Sequence, residues 1–204
     1  MAVSDDRLAR QVAFLAEADK LKTILRRTPI ADGSRPENSA EHSWHLVLAA
    51  MTLAEYAPPG VNLRRVLELL AIHDLVEIDA GDTFAYDTAA YETKAARELA
   101  AAERIFGLLP PDQRAWFRAC WDEFEANHTL EAKYANALDR FQALLLNMKS
   151  GGGSWRTHRI SRADVLRRME PVRADLPQLW PLVVEVIDGF CQSGAIKSQG
   201  HEEK

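Results

Sequence analysis

The 204-residue chain is poor in cysteine, in apolar runs and in positive charge. Two cysteines, Cys120 and Cys191, cannot build a disulfide framework or a Cys-rich zinc module. No stretch reaches the 18 apolar residues that a membrane span needs. Residues 1–10 (M-A-V-S-D-D-R-L-A-R) contain nothing like the apolar centre of a signal peptide, so the expected compartment is the cytoplasm. Lys and Arg number 25 against 30 Asp and Glu, a formal charge of −5 that argues against a nucleic-acid scaffold. The phosphate loop G-x-x-x-x-G-K-[ST], the dinucleotide turn G-x-G-x-x-G and the nucleophile elbow G-x-S-x-G are all missing. No internal repeat, low-complexity tract or linker divides the chain.

What is present is helical periodicity. Leu8, Val12, Leu15, Ala18, Leu21 and Leu25 recur at three- and four-residue steps and predict a first helix that ends at Thr28-Pro29. Residues 30–38 read as a loop punctuated by Gly33 and Pro36. Ser39 predicts the N-cap of a second helix reaching about Tyr56, and Asn62 caps a third carrying Leu63 to Leu75. Further helices are predicted from Thr88 to Phe106, from about Asp112 to Ala126, and from Thr129 to Met148. Ser150-Gly151-Gly152-Gly153 is a stop, leading to a simple connector or a lid. A short helix from Ser161 and a last one from Leu179 to Phe190 follow. Nothing alternates with period two for long enough to predict a strand. The expected fold class is all-α: one domain of about seven or eight helices over residues 1–192, its core about 10–150 and C-terminal helices 160–192. Residues 193–204 read as a polar tail.

Three of the six histidines stand in settings that ask for a partner. His42 and His45 are three apart and share a helix face. His73-Asp74 lies inside an apolar helix, where a charge must be compensated. Asp139 is likewise framed by apolar residues. His42, His73, Asp74 and Asp139 from three helices would suit Mn²⁺, Co²⁺, Fe²⁺, Ni²⁺ or Mg²⁺ better than a closed structural zinc site. The same residues serve equally as a buried His–Asp network. His128, His158 and His201 read as surface residues, Cys120 as core packing, and Lys94 and Arg97 as a solvated face. Trp116, Phe117, Trp121 and Phe124 are either core or an apolar interface.

The segments Arg27-Thr28-Pro29, R-P-E-N-S-A-E-H (35–42), His73-Asp74-Leu75-Val76-Glu77, Gly81-Asp82 and Asp139 together resemble the HD-domain metal-dependent phosphohydrolases, and most closely their 5′-deoxynucleotidase branch. The resemblance covers roughly residues 10–150 and implies a helical HD-domain bundle. It implies that His42, His73, Asp74 and Asp139 hold one divalent metal ion, and that Glu77 acts on the nucleophilic water. Arg27 would orient the substrate phosphate, with Asp82 and Thr83 beside it contacting sugar or phosphate. The implied activity is removal of phosphate from a nucleoside 5′-monophosphate or a similar small phosphate monoester, by a homodimer. Thr28 and Phe84-Ala85 depart from the bacterial pattern, which leaves base and sugar preference open. Competing readings are hydrolysis of cyclic or dinucleotide phosphodiesters, a di-iron oxygenase, and a non-catalytic nucleotide-binding module. His128 alone between Asp74 and Asp139 leaves a second metal short of ligands.

Overall fold

Short polar side chains decide where the helices begin. In the computed structural model, which describes residues 2–197, Asn38 accepts from the Glu41 N–H while the Glu41 carboxylate returns to the Asn38 N–H, a reciprocal cap that starts α2 (Ser39–Thr52). The cap is thus Asn38, one residue before the expected Ser39. Before α2 come α1 (Ala2–Ala18), a 3₁₀ turn (Asp19–Thr23), β1 (Leu25–Pro29) and β2 (Pro36–Asn38). After it come α3 (Leu63–Ile72), a 3₁₀ turn (His73–Val76), α4 (Glu77–Ala80), α5 (Thr88–Phe106), α6 (Pro111–Ala126) and α7 (Leu130–Lys149). The chain closes with α8 (Gly153–His158), α9 (Arg162–Arg168), α10 (Glu170–Asp175) and α11 (Trp180–Gln192). Asn62, Asp87, Thr129 and Ser161 cap α3, α5, α7 and α9, each side chain accepting a backbone N–H of the first turn. No helix among the described residues is long and apolar enough to cross a membrane.

The N-terminal helix departs most from expectation. It ends at Ala18, and its regular apolar stripe faces outward: Leu8, Val12 and Leu15 are 61%, 56% and 67% exposed. Its mixed face does the packing. Phe14 is buried edge-on to Phe117. Arg10 donates to the carbonyls of Gly107, Leu108 and Leu109, satisfying groups just beyond the end of α5. The chain then turns Leu21 into the core and runs out as β1, which pairs antiparallel with β2 (Leu25 opposite Asn38, Pro29 opposite Pro36). Strands of five and three residues with an irregular register carry too little alternation to be read from sequence.

One apolar core runs from Phe14 to Ile196. Its centre is α7, which packs against α2, α3, α6 and α10. Trp121 and Phe124 of α6 are buried in it and only Trp116 is largely exposed, so the aromatic helix is mainly core. Cys120 is buried as expected. Between α7 and α9 the connector is itself helical. Gly153 sits at φ +29°, where an added Cβ would lie 2.6 Å from Ser150 Oγ, and α8 starts there with Ser154 donating twice to Asn147 Oδ1. Ala195 and Ile196, within the expected polar tail, are buried. His201 lies outside the described residues.

Candidate active site

The floor of the site is assembled from three helical segments. The inner face of α2 brings in His42, which is fully buried. The helix carrying His73 and Asp74 does not continue: after Ile72 it tightens into a 3₁₀ turn, then resumes as α4 at Glu77. In 3₁₀ geometry residues three apart eclipse each other, so Asp74 and Glu77 share one side. The middle of α7 supplies Asp139. The ligating atoms of His42, His73 and Asp139 all lie within 4.8 Å of one another. Asp74 adjoins both imidazoles, with Oδ1 3.0 Å from His73 Nε2 and Oδ2 3.9 Å from His42 Nε2. His73, Asp74 and Asp139 floor a cavity of about 360 Å³, with His42 buried beside them.

The donor set calls for a cation. His73 Nδ1 lies 2.9 Å from the Leu70 carbonyl, which can only accept, so Nδ1 carries the proton. Nε2 is then a bare lone pair, buried without a hydrogen-bond partner and facing a carboxylate. His42 is arranged alike: Nδ1 lies 3.0 Å from Gln142 Oε1, and Nε2 lies 3.0 Å from Asp139 Oδ1. A lone pair turned on a carboxylate repels it unless a cation, either a proton or a metal ion, stands between them, and one divalent ion would serve both rings at once. Charge points the same way, since four carboxyl groups, Asp74, Glu77, Asp82 and Asp139, are met by two guanidinium groups, Arg26 and Arg140.

That imbalance moves the acid–base equilibria. Burial and Arg26 disfavour the His42 imidazolium, but Asp139, Glu37 and Asp74 outweigh them and push it up to about 9. Burial holds His73 below its usual value. Burial and Asp74 raise Glu77 well above the ordinary carboxylate range, against the pull of Arg26 and of Ser39, whose Oγ donates to Glu77 Oε2 at 2.6 Å. Burial also raises Asp82. Asp139 stays well below the usual range despite burial, because Arg140, His42 and Arg26 favour its anion.

The remaining expected residues divide between floor and rim. Glu77, Asp82 and Thr83 line the cavity. Arg27 is exposed and lies at the mouth, between this cavity and a second, more open groove walled by Phe84, Tyr86 and His158. Its backbone N–H donates to the Asp82 carboxylate. The neighbouring Arg26 was not anticipated: it reaches inward, donating to Asp74 Oδ2 at 3.1 Å and passing 3.4 Å from Glu37. In a strand successive side chains point to opposite sides, so recognising β1 would have separated the two arginines. Lys94 and Arg97 are not a free solvated face. Lys94 lines the cavity and pairs with Glu98 at 2.7 Å, while Arg97 bonds the Ala80 carbonyl, Thr83 Oγ1 and the Ala90 carbonyl. His45 Nδ1 meets the Gln142 amide at 3.1 Å. Trp155, 2% exposed, packs edge-on to Phe190 and hydrogen-bonds Tyr86.

A helical bundle with one short two-stranded sheet brings two imidazoles and two carboxylates to one point, a cluster compatible with a bound metal ion. Residues 18–180 match the HD domain family, and the chain belongs to it. It is similar to 5′-deoxynucleotidase HDDC2 of Homo sapiens, 32% identical over 133 residues that cover 65% of this chain and 64% of that protein. It is also similar to a 5′-deoxynucleotidase of Enterobacter sp. (strain 638), 28% identical over 71% of this chain and 77% of that one. The chain spans just under two thirds of the length of the animal relatives it matches. A crystal structure of a predicted metal-dependent phosphohydrolase from Magnetospirillum magnetotacticum MS-1 matches with a TM-score of 0.91 and 47% identity, over 96% of this chain and 98% of that one.

Proposed function

We propose that this chain is a metal-dependent phosphomonoesterase that removes phosphate from nucleoside 5′-monophosphates. The observation that carries the reading is the convergence of the Nε2 atoms of His42 and His73 with Asp74 and Asp139, beside Glu77, whose Oε2 accepts from Ser39. The names of the relatives and of the structural neighbour support it. His42, His73, Asp74 and Asp139 hold one divalent ion, of which Mn²⁺, Co²⁺, Fe²⁺, Ni²⁺ and Mg²⁺ all suit a nitrogen–oxygen set. When bound, such an ion lowers the pKa of water and polarises a phosphoryl oxygen. Ser39 occupies one Glu77 oxygen, which leaves the other to orient the water and take its proton. Arg27 at the mouth offers a planar cation to the phosphate, with Asp82 and Thr83 beside it for the sugar. Arg26 restrains mutual repulsion among the floor carboxylates.

The test is phosphate release from a panel of ribo- and deoxynucleoside monophosphates, cyclic nucleotides and dinucleotides with Mn²⁺ or Co²⁺. Wild type should act on monophosphates and Asp74→Ala should not. Equal release by both proteins sinks the reading, and turnover of the diesters alone replaces it with phosphodiesterase activity.

The working unit we propose is a homodimer in the cytoplasm. Leu8, Val12 and Leu15 on α1 and Trp44, Leu48 and Met51 on α2 form two outward stripes at i, i+4, i+7 spacing. Apolar surface on this scale favours a second copy. The free thiols of Cys120 and Cys191 suit a reducing compartment. Light scattering should give twice the chain mass for wild type, and Leu8→Glu with Leu15→Glu should give a monomer. A monomeric wild type ends this part of the reading.

A further inference from the structure

Behind His42, on the side away from the cavity, lies a polar cluster that the proposed chemistry does not use. Gln142 on α7 is 1% exposed and Glu37 on β2 is 3% exposed, and neither they nor His45 line the cavity. A glutamine this deep in an apolar helix costs stability unless each of its polar atoms is matched. Gln142 is matched on both ends. Its Nε2 donates to Glu37 Oε1 at 2.6 Å and faces His45 Nδ1 at 3.1 Å, and its Oε1 faces His42 Nδ1 at 3.0 Å.

The chemistry of the partners leaves one orientation. A carboxylate offers only lone pairs, so the amide atom 2.6 Å from Glu37 must be the NH₂ group. Its two hydrogens serve Glu37 and His45. The reversed amide would set oxygen against oxygen at that distance. With the NH₂ so committed, the amide oxygen is the atom presented to His42. Glu37 Oε2 lies 3.3 Å from the same ring nitrogen, so His42 Nδ1 faces two acceptors and must carry a hydrogen. In the neutral ring Nε2 is then the bare nitrogen, turned toward Asp139 and Asp74.

We propose that Gln142 is a positioning residue: oriented by Glu37 and His45, it fixes the tautomer and ring angle of His42 so that Nε2 is offered to the metal. This rests on the reading of His42 as a ligand. The device acts at a distance from the reaction, since Gln142 touches neither the cavity nor the floor carboxylates. Outer partners of a ligating histidine of this kind are worth about 10–100-fold in metal affinity.

The experiment is titration of the metal-free full-length protein with Co²⁺, read by its visible absorption, alongside thermal melting. Gln142→Leu should weaken Co²⁺ binding about 10–100-fold, with kcat at saturating Co²⁺ within about twofold of wild type. Gln142→Glu combined with Glu37→Gln exchanges amide and carboxylate, so that position 37 donates to position 142 and an acceptor still faces Nδ1; this pair should bind Co²⁺ within about threefold of wild type, a rescue that a packing role would not predict. If Gln142→Leu does not fold, Gln142→Asn takes its place with the same expectation, because its amide is withdrawn by one methylene. A purely structural glutamine would lower the melting temperature and leave Co²⁺ affinity unchanged, which overturns the proposal. His42→Ala separates the two failures. If it too leaves Co²⁺ affinity intact, the metal site falls and the relay with it. If it abolishes binding while the position-142 variants bind normally, the relay alone falls.

Discussion

At the floor of the cavity every side chain is held from behind. His42 rests on Gln142, His73 on the Leu70 carbonyl, Asp139 against Arg140 and Glu77 on the Ser39 hydroxyl. At the rim, by contrast, the segment from Gly81 to Asp87 has no regular structure and is held by scattered side-chain ties, Arg97 to Thr83, the Arg27 N–H to Asp82 and Trp155 to Tyr86. The floor sits on α2, the α3–α4 corner and α7, elements that cannot shift without disturbing the core. The rim can vary in sequence and position at little cost to folding. The difference separates two tasks. Under the proposed function, activating water requires atoms fixed to a fraction of an ångström, whereas choosing among nucleotides requires a surface that can be reshaped.

The largest expected effect tests whether the floor itself divides into groups that hold and a group that reacts. Glu77→Gln keeps the shape and an acceptor for Ser39 but removes the base. Hydrolysis should fall about 10²–10⁴-fold, with Co²⁺ affinity within a few-fold of wild type, as measured by steady-state rates and metal titration. Equal loss of metal would make Glu77 a ligand and remove the division.

A smaller effect follows from the charge of His42. With its pKa pushed up to about 9, the ring of the metal-free chain binds a proton at neutral pH, and a metal must expel it. Affinity should therefore rise with pH, about tenfold per unit for the one proton displaced, and level off near pH 9. Co²⁺ titrations at three pH values between 6 and 8 read the slope directly. A flat profile would mean that the ion does not compete for that nitrogen.

How much of this was legible before the structure differs in the same way between the two regions. His73-Asp74 and Asp139 stand out in sequence because charges inside apolar helical patterns need a reason, His42 stands out by sharing a helix face with His45, and Glu77 came only with the family resemblance. Helices α5, α6 and α7 were equally readable from their caps and glycine or proline stops. Arg26 was hidden because β1 is too short to show alternation, and the stripe Leu8–Val12–Leu15 continued smoothly into Leu25 as if one helix ran through both. That stripe also misled about burial. Periodicity reports that a face is apolar and is silent on what covers it, and here Phe14 and the polar face of α1 make the contacts. Gln142 carried no signal at all, since its partners Glu37, His42 and His45 lie about 100 residues away along the chain.

The smallest expected effect bears on the rim. Arg97 on α5 reaches back to the carbonyl of Ala80 at the end of α4 and to Thr83 Oγ1 at 3.1 Å, and also bonds the Ala90 carbonyl at 3.3 Å. One guanidinium thus spans both ends of the segment that carries Asp82, Thr83, Phe84 and Tyr86. Arg97→Ala frees these three acceptors, which water can satisfy because the guanidinium is only part-buried, so folding should survive. What is lost is the pinning of Thr83, next to Asp82, over the cavity. If those residues only bind substrate, the variant should raise KM by up to about tenfold, about 1.4 kcal/mol, with kcat and Co²⁺ affinity within twofold of wild type. A fall in kcat at unchanged KM would mean that the rim participates in the chemical step. In that case the floor could no longer be treated as the whole of the catalytic apparatus, and Asp82, with its carboxyl raised by burial and close to Asp74, would be the group to examine for a second proton transfer.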